Sequence, residues 1–528
     1  MKVVGRDSRT TALLMQNNPS APLDGVGGIF ESRWTYLMLG ASSALLFYFS
    51  LFHFPAIPIW RPGDQVIFLD HAARMVQGAT LYRDLFQFNL PATEYLYYFL
   101  FRWWGIQLWI EPLVLLITQT VITLVVFSLS RIVLRGVSAL LPPLVFLVVC
   151  QRYSLDGTHH WYSTALVLLS VNLIARARNP IPLNAAGALL GLATLFTSSR
   201  GMFAITGVSL FFVWKFRGFR NAIPAIAALW WPFIVVTAVP IIALANLAGS
   251  RAFFWSVLIF PLRYYSAGHG NGPSMFFDEW RLAWPLGLHS FYPIAFWLAM
   301  NVAIPFLLIV FAVRWCRQKR ADLRSSPANQ ILFLYAVVAI STLLPVLTTP
   351  SRIRLACAGS FAYILGAKML QECKRKRMIS GIVVVVSIMG IIEMARGAVR
   401  SSERFQSPLG VVIFQDRQLY EEYAWVAGES HPGDRLFGDV NFNFLLNLEN
   451  PAKVQWVESD AYTRPEQVDD LLRSLKRQRT RFIVWYEEVP ESPGPGDVLL
   501  PFRAYVKQNY HLAKSFDDGI EILIANGS

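Results

Sequence analysis

Between Arg61 and Pro91 the chain reads RPGDQVIFLDHAARMVQGATLYRDLFQFNLP, and Asp64, Asp70, His71, Asp84 and Glu94 fall within or just after it. A positioned carboxylate can take the proton of an incoming hydroxyl or amine. Charges kept close to hydrocarbon are expensive and usually functional. Three arginines offer the complementary chemistry. Arg200, Arg352 and Arg354 lie beside apolar runs, and a guanidinium gives forked, charge-assisted hydrogen bonds to phosphate oxygens. His159 and His160, in DGTHHWY (156–162), could hold hydroxyl groups or a metal. Adjacent residues on a helix point in different directions, which argues against one shared ion.

The elements that position these groups follow from composition. The chain has 528 residues, is 54% hydrophobic and only 15% charged. A soluble protein of that length carries more charge. The mean hydropathy of +0.42 likewise indicates a polytopic membrane protein. The formal charge of +13 does not point to nucleic acid, because Lys and Arg gather in short clusters between apolar runs. Cys150, Cys316, Cys357 and Cys373 have no metal-ligand spacing and make no disulfide framework.

Apolar runs of membrane-spanning character give about eleven spans, at 34–55, 109–133, 137–153, 160–176, 183–198, 201–215, 223–249, 286–313, 329–348, 353–371 and 378–398. Placing the N-terminal Lys2, Arg6, Arg9 and Arg33 in the cytosol puts five further basic clusters on the same side: Arg131/Arg135, Arg176/Arg178, Lys215/Arg217/Arg220, Arg314 to Arg324, and Lys374 to Arg377. The first loop (54–92), the 250–285 loop and everything after about residue 400 then lie outside. The first span has a long leader and no small-residue cleavage site, so it reads as retained in the membrane. Residues 1–33, rich in Pro and Gly, read as a loose cytosolic tail; 34–400 form the membrane domain.

From 401 to 528 the pattern is that of a small external α/β domain. RLFGDV (435–440), KVQWV (453–457), RFIVWY (481–486) and EILIA (521–525) read as strands. Pro465 to Arg479 reads as a helix with Val468, Leu471, Leu472 and Leu475 on one face, and 492–498 as a turn. No internal repeat stands out.

Each candidate has a plainer alternative. Asp64, after Arg61-Pro62-Gly63, either caps a helix starting at Gln65 or faces a cavity at the membrane surface as a base. Asp84 orients an acceptor or pairs with Arg83 or Arg61. Asp70 and Arg74 have the spacing of an ordinary surface ion pair, which is the reading adopted. Asn89 and Glu94 flank Pro91 and could line the same cavity. The span order puts Arg200, Arg352 and Arg354 at outer span ends, where the alternative is snorkelling to lipid headgroups. Arg200 sits in a hydroxyl-rich break, TSSRG (197–201), and broken helices at membrane depth are tolerated where they line a cavity. Arg251 and Arg263 are reserve cations. Trp103, Trp104, Trp109, Trp161, Tyr162 and Glu111 read as interfacial residues.

The first loop resembles that of GT-C glycosyltransferases, with the nearest likeness to the protein-O-mannosyltransferase and lipid-A aminoarabinose transferase branch. Asp64, Ala73, Gly78, Tyr82, Asp84 and Pro91 carry it. It continues at GALLGLATLFTSSRGMFAI (187–205), at SRIRLACAGSFAYILGA (351–367) and at the HPGDRLFGD opening of the C-terminal segment. Where that family commonly has Asp-Glu, this chain has Asp64-Gln65, which removes a second acid.

The resemblance implies a sugar transferred from a polyprenyl-phosphate donor to a glycan, lipid or protein acceptor at the external face of the plasma or inner membrane. Asp64 would then be the base, with Asp84 a second catalytic residue that orients the acceptor or the surroundings of Asp64. Arg200, Arg352, Arg354, His159, His160, Asn89 and Tyr82 would bind substrates. Some relatives of the fold use a divalent metal, but the first loop has no D-x-D, so no cofactor is expected. The rival from another class is a transporter or flippase of a lipid-linked saccharide. Matching inverted halves, which that reading favours, are not evident. A structural scaffold would leave the carboxylate-rich loop unexplained.

Overall fold

The computed structural model describes residues 32–527 except 153, 178, 266–290, 318–323, 325, 348–350, 401, 460–461 and 487–496; the side chains of residues 291–293 and 352 are also outside the description. The expected tail lies almost wholly outside the described residues. Helices coincide with each apolar segment read from the sequence. They are α1 (Arg33–Leu51), α4 (Ile110–Val133), α5 (Gly136–Gln151), α6 (His159–Arg176), α7 (Pro180–Phe196), α8 (Ser198–Lys215), α9 (Phe219–Ala248), α11 (Ile294–Cys316), α12 (Pro327–Val346), α13 (Arg352–Glu372) and α14 (Lys376–Val399). Between them lie α2 (Asp64–Val76) and α3 (Ala92–Trp104) of the first loop, and α10 (250–263).

Seven of these helices, α1, α4, α9 and α11 to α14, are long and apolar enough to cross a membrane, which makes this an integral membrane protein. The other four are compromised by their sequence. α5 is broken into 3-10, α and π pieces, α7 is short, α6 opens on two histidines, and α8 opens on Ser-Ser-Arg. Polar side chains bind helices together where the apolar effect cannot. Gln151 of α5 donates to the Gln119 carbonyl of α4 at 3.0 Å, and Thr123 joins Ser43 of α1 to Gln151.

The C-terminal domain pairs a hairpin, β3 (Glu403–Ser407) with β4 (Gly410–Phe414), with a four-stranded sheet. That sheet has the order β5 (Leu436–Phe437), β6 (Phe482–Tyr486), β8 (Ile520–Ala525), β7 (Tyr510–Ser515). β5 and β6 are parallel and the remaining pairs antiparallel. Helices α15 (Arg417–Glu429), α16 (Val440–Leu446), α17 (Pro465–Gln478) and α18 (Leu500–Asn509) complete it. The expected helix is α17, with Val468, Leu471 and Leu475 buried, and the last two expected strands are β6 and β8. Two readings are corrected. Only Leu436 and Phe437 of 435–440 form a strand, because Asp439 turns the chain by capping α16 with its side chain. KVQWV is no strand; it is an irregular segment whose Lys453 carbonyl accepts from the Phe86 N–H of the first loop. The expected turn at 492–498 lies mostly outside the described residues.

The first loop and the C-terminal domain share a core. A short hairpin, β1 (Phe52–His53) with β2 (Ile57–Pro58), follows α1, and Trp60 then donates its backbone N–H to the Ile413 carbonyl of β4 at 2.8 Å. Trp60 meets Tyr423 of α15 edge-on at 6.0 Å, and Phe101 of α3 stacks on Phe444 of α16. The loop is therefore held as part of a packed body.

Candidate active site

The turn before α2 needs glycine: Gly63 has φ +152°, a region that disfavours side chains. Its N–H donates to Asn441 Oδ1 at 3.0 Å, and Asn441 is itself fixed by Asp439. The C-terminal domain thus sets the position at which α2 begins. Asp64 is the first residue of that helix, one place later than a cap would be, and the capping alternative fails. No hydrogen bond joins its carboxylate to the described residues. It borders a cavity of about 450 Å³ between the membrane helices and the C-terminal domain. Solvent reaches the carboxylate through that cavity. Desolvation by the protein around it raises its pKa, and the guanidinium of Arg354 works in the opposite direction.

The same cavity collects His159, His160, Arg200, Arg354 and Asn89, residues separated by up to 265 positions in the chain. Arg354, in the first turn of α13, donates to Tyr265 Oη at 3.1 Å. Arg200 is 4% exposed, which excludes snorkelling to lipid. One terminal nitrogen donates to the His160 carbonyl, to Ser163 Oγ at 2.9 Å and to Thr164 Oγ1 at 3.0 Å. The other donates to the carbonyls of Ile353 and Arg354, at 3.4 and 3.2 Å. Arg200 therefore ties the start of α6 to the start of α13, and its charge reaches the cavity from behind. The break at Thr197 between α7 and α8 makes room for this. Both histidines have a buried Nδ1 without a hydrogen-bond partner among the described residues, and their ring centroids lie 4.0 Å apart.

The remaining candidates are elsewhere. Arg352 opens α13, but its side chain lies outside the described residues. Asp84 does not reach the cavity: Arg83 Nη2 donates to it at 2.8 Å and the Thr80 N–H at 2.8 Å, and the hydrogen bond from Arg83 holds its carboxyl below the usual range. Tyr82 is buried with φ +68°, donates to the Asn89 carbonyl at 2.7 Å, and borders a different cavity of about 800 Å³ with Arg83, Arg251, Lys453 and Arg464. Arg263 lines neither cavity. Asp70 and Arg74 do pair, at 3.9 Å, but inside the protein, since Arg74 also donates to the Ala452 carbonyl. Glu94 is buried behind the wall and accepts from Gln87 Nε2 at 2.6 Å. Gln87 Oε1 in turn accepts from the N–H groups of Phe88 and Asn89, holding that part of the rim.

Sequence reasoning missed the contribution of the C-terminal domain. Gln455, Trp456, Glu458 and Tyr462 complete the cavity. Gln455 meets His71, and Trp456 Nε1 donates to Glu458 Oε1 at 2.8 Å. The signal was KVQWV itself, whose polar and aromatic residues resemble a strand. Asp156 lies near Asp64 without lining the cavity; burial, then the nearby charge of Asp64, raises its pKa to about 7. Among the described residues no group of three or more His, Cys, Asp or Glu could hold a metal ion.

No protein-family model and no curated protein matches the chain. Solved structures do match. ArnT from Cupriavidus metallidurans bound to undecaprenyl phosphate superposes with a TM-score of 0.60 over 94% of this chain and 99% of its own, at 12% identity. The chain has the ArnT fold. The apo state of the same ArnT gives a TM-score of 0.60 at 11% identity, over 93% of this chain and 98% of its own. An oligosaccharyltransferase from Archaeoglobus fulgidus gives 0.49 at 12% identity, over 84% of this chain and 67% of its own. The likeness expected from a few motifs extends, as ArnT-like architecture, over nearly the whole length.

Proposed function

We propose that this protein is a membrane glycosyltransferase that moves a sugar from a polyprenyl-phosphate donor to an acceptor at the external face. One observation carries the reading: a carboxylate with no hydrogen-bond partner among the described residues and an arginine border the same cavity where membrane helices meet a soluble domain, in a chain with the fold of a protein solved with undecaprenyl phosphate bound. Arg354 receives the donor phosphate, whose charge grows as the bond to the anomeric carbon breaks. The acceptor oxygen or nitrogen forms its bond to that carbon, the electron pair of the broken bond leaves with the phosphate, and the acceptor proton passes to Asp64. Arg354 serves twice, since its charge also helps keep Asp64 ionised despite its enclosure. Arg200 positions Arg354 and α6. The basic clusters read from the sequence support a cytosolic N-terminus, an external C-terminal domain and an inner-membrane or plasma-membrane location.

The test is turnover in nanodiscs with radiolabelled undecaprenyl-phosphate sugars. Release of undecaprenyl phosphate with the label passed to acceptor or water supports transfer. Movement of the intact donor across liposome membranes without release of sugar would establish the flippase instead.

A further inference from the structure

Asp64 borders a second cavity, of about 730 Å³, on the side of the C-terminal domain. Asp64, Ile67, Trp456 and Glu458 line both spaces and form the wall between them. The two have different chemistry. The first contains Arg200 and Arg354. Among the described residues, the second has no lysine or arginine in its lining; it holds three carboxylates, Asp64, Asp439 and Glu458, and the aromatic rings of Trp456, Trp485 and Tyr486.

The location follows from the sheet. β5 and β6 are parallel neighbours, and their carboxyl ends deliver Gly438, Asp439 and Asn441 from one strand and Trp485 and Tyr486 from the other. Open α/β sheets bind ligands in the crevice beyond such ends. Gly438 has φ +116°, and a side chain there would overlap the Val484 carbonyl, so the floor is bare backbone. Trp485 stacks on Phe502 and is held from behind, and Tyr486 donates its hydroxyl to Asp439. Rigid indole and phenol faces cover the C–H faces of a pyranose at little entropic cost, while carboxylate and amide oxygens accept its hydroxyl hydrogens. Three carboxylates, with no lysine or arginine lining this side among the described residues, disfavour phosphate and carboxylate groups there.

We infer that this second cavity is the acceptor subsite and that it takes a saccharide without anionic groups. The inference rests on the transferase reading above. It accounts for the shared wall: the donor phosphate lies on the arginine side, the acceptor hydroxyl approaches from the aromatic side, and Asp64 stands between them to take the proton. Displacement at carbon needs that opposed arrangement of incoming and leaving groups.

The experiment is saturation-transfer NMR on the full chain in nanodiscs, with maltose and cellobiose as neutral probes and glucose 1-phosphate and a glucuronic-acid disaccharide as anionic ones. We expect saturable binding of a neutral probe, at least tenfold tighter than either anionic probe, and its loss in Trp485→Ala. Because Trp485 also packs against Phe502, a second variant leaves the packing alone. Ser459→Lys adds one cation to the exposed rim and should move the preference toward the anionic probes. Equal or tighter binding of the anionic probes by the wild type would overturn the inference. So would neutral binding indifferent to both substitutions, or no neutral binding. Undecaprenyl phosphate binding, measured in parallel with Arg354→Gln as its control, separates the two levels. If that binding is present and Arg354-dependent while the saccharide results fail, the acceptor assignment falls and the transferase reading stands. If it is absent while Trp485-dependent neutral binding persists, the cavity remains a carbohydrate site and the transferase reading falls.

Discussion

Asp64 and Asp84 stand twenty residues apart in the same loop, and both carry the resemblance to glycosyltransferases, yet their surroundings are opposite. Asp84 lies at the surface with its charge satisfied by Arg83 and by a backbone N–H, and its carboxyl is held low. Asp64 accepts no hydrogen bond from the described residues, borders two cavities and has its carboxyl raised by desolvation. A base needs an unspent lone pair and a raised proton affinity; Asp64 has both and Asp84 neither. Two carboxylates equivalent in sequence become different chemical groups because the C-terminal domain, through Asn441 and Gly63, turns one of them toward the cavity.

The contrast can be broken at several points. Asp64→Asn should lower turnover by roughly 10²–10⁴-fold with donor binding retained, as measured by single-turnover kinetics at saturating donor. Loss of donor binding together with turnover would instead place Asp64 with the phosphate. Arg354→Gln removes a charged donor, and hydrogen bonds to charged groups are worth about 1.5–3 kcal/mol, so the donor KM should rise by roughly 10- to 150-fold. Asn441→Ala releases the turn before Asp64 without touching either cation. A fall of roughly tenfold in kcat at unchanged donor KM is expected, the mark of a positioning residue. Asp84→Asn should leave kcat/KM within about twofold, since it alters one exposed ion pair.

A third carboxylate sharpens the distinction between burial for structure and burial for chemistry. Glu422 of α15 is buried, and burial, with Asp518 beside it, raises its pKa to about 8. Its folded form therefore binds a proton more tightly than the unfolded chain, whose glutamate titrates near 4.5. The resulting stabilisation is complete below about pH 4.5 and is lost as pH rises toward 8. Thermal unfolding of the protein should move to lower temperature between pH 5 and pH 9, and Glu422→Gln should flatten that slope while leaving turnover intact.

The membrane architecture was legible because its signals are local. Apolar length and hydropathy mark helices such as α4 and α9 without reference to anything distant. The site was legible in part. Asp64, Arg354 and the histidine pair could be named because charge at span ends is rare enough to stand out. Arg200 could be named too, but its bonds to the Ile353 and Arg354 carbonyls depend on α8 meeting α13, which no local pattern encodes. The same applies to Trp456 and Glu458. Their role comes from an irregular segment docked against the first loop, and period-two alternation cannot separate that from a strand. Asp84 misled because a motif records residue type and spacing, while a one-residue contact with Arg83 decided its state.

The account turns on where the donor phosphate sits, and a cryo-EM map of the protein in nanodiscs with undecaprenyl phosphate reads that position directly. Phosphate density within hydrogen-bond distance of Arg354, in the cavity that Asp64 borders, is the predicted result. Phosphate density confined to the basic cavity beside Arg251 and Arg464, with the Asp64 cavity empty, would contradict it.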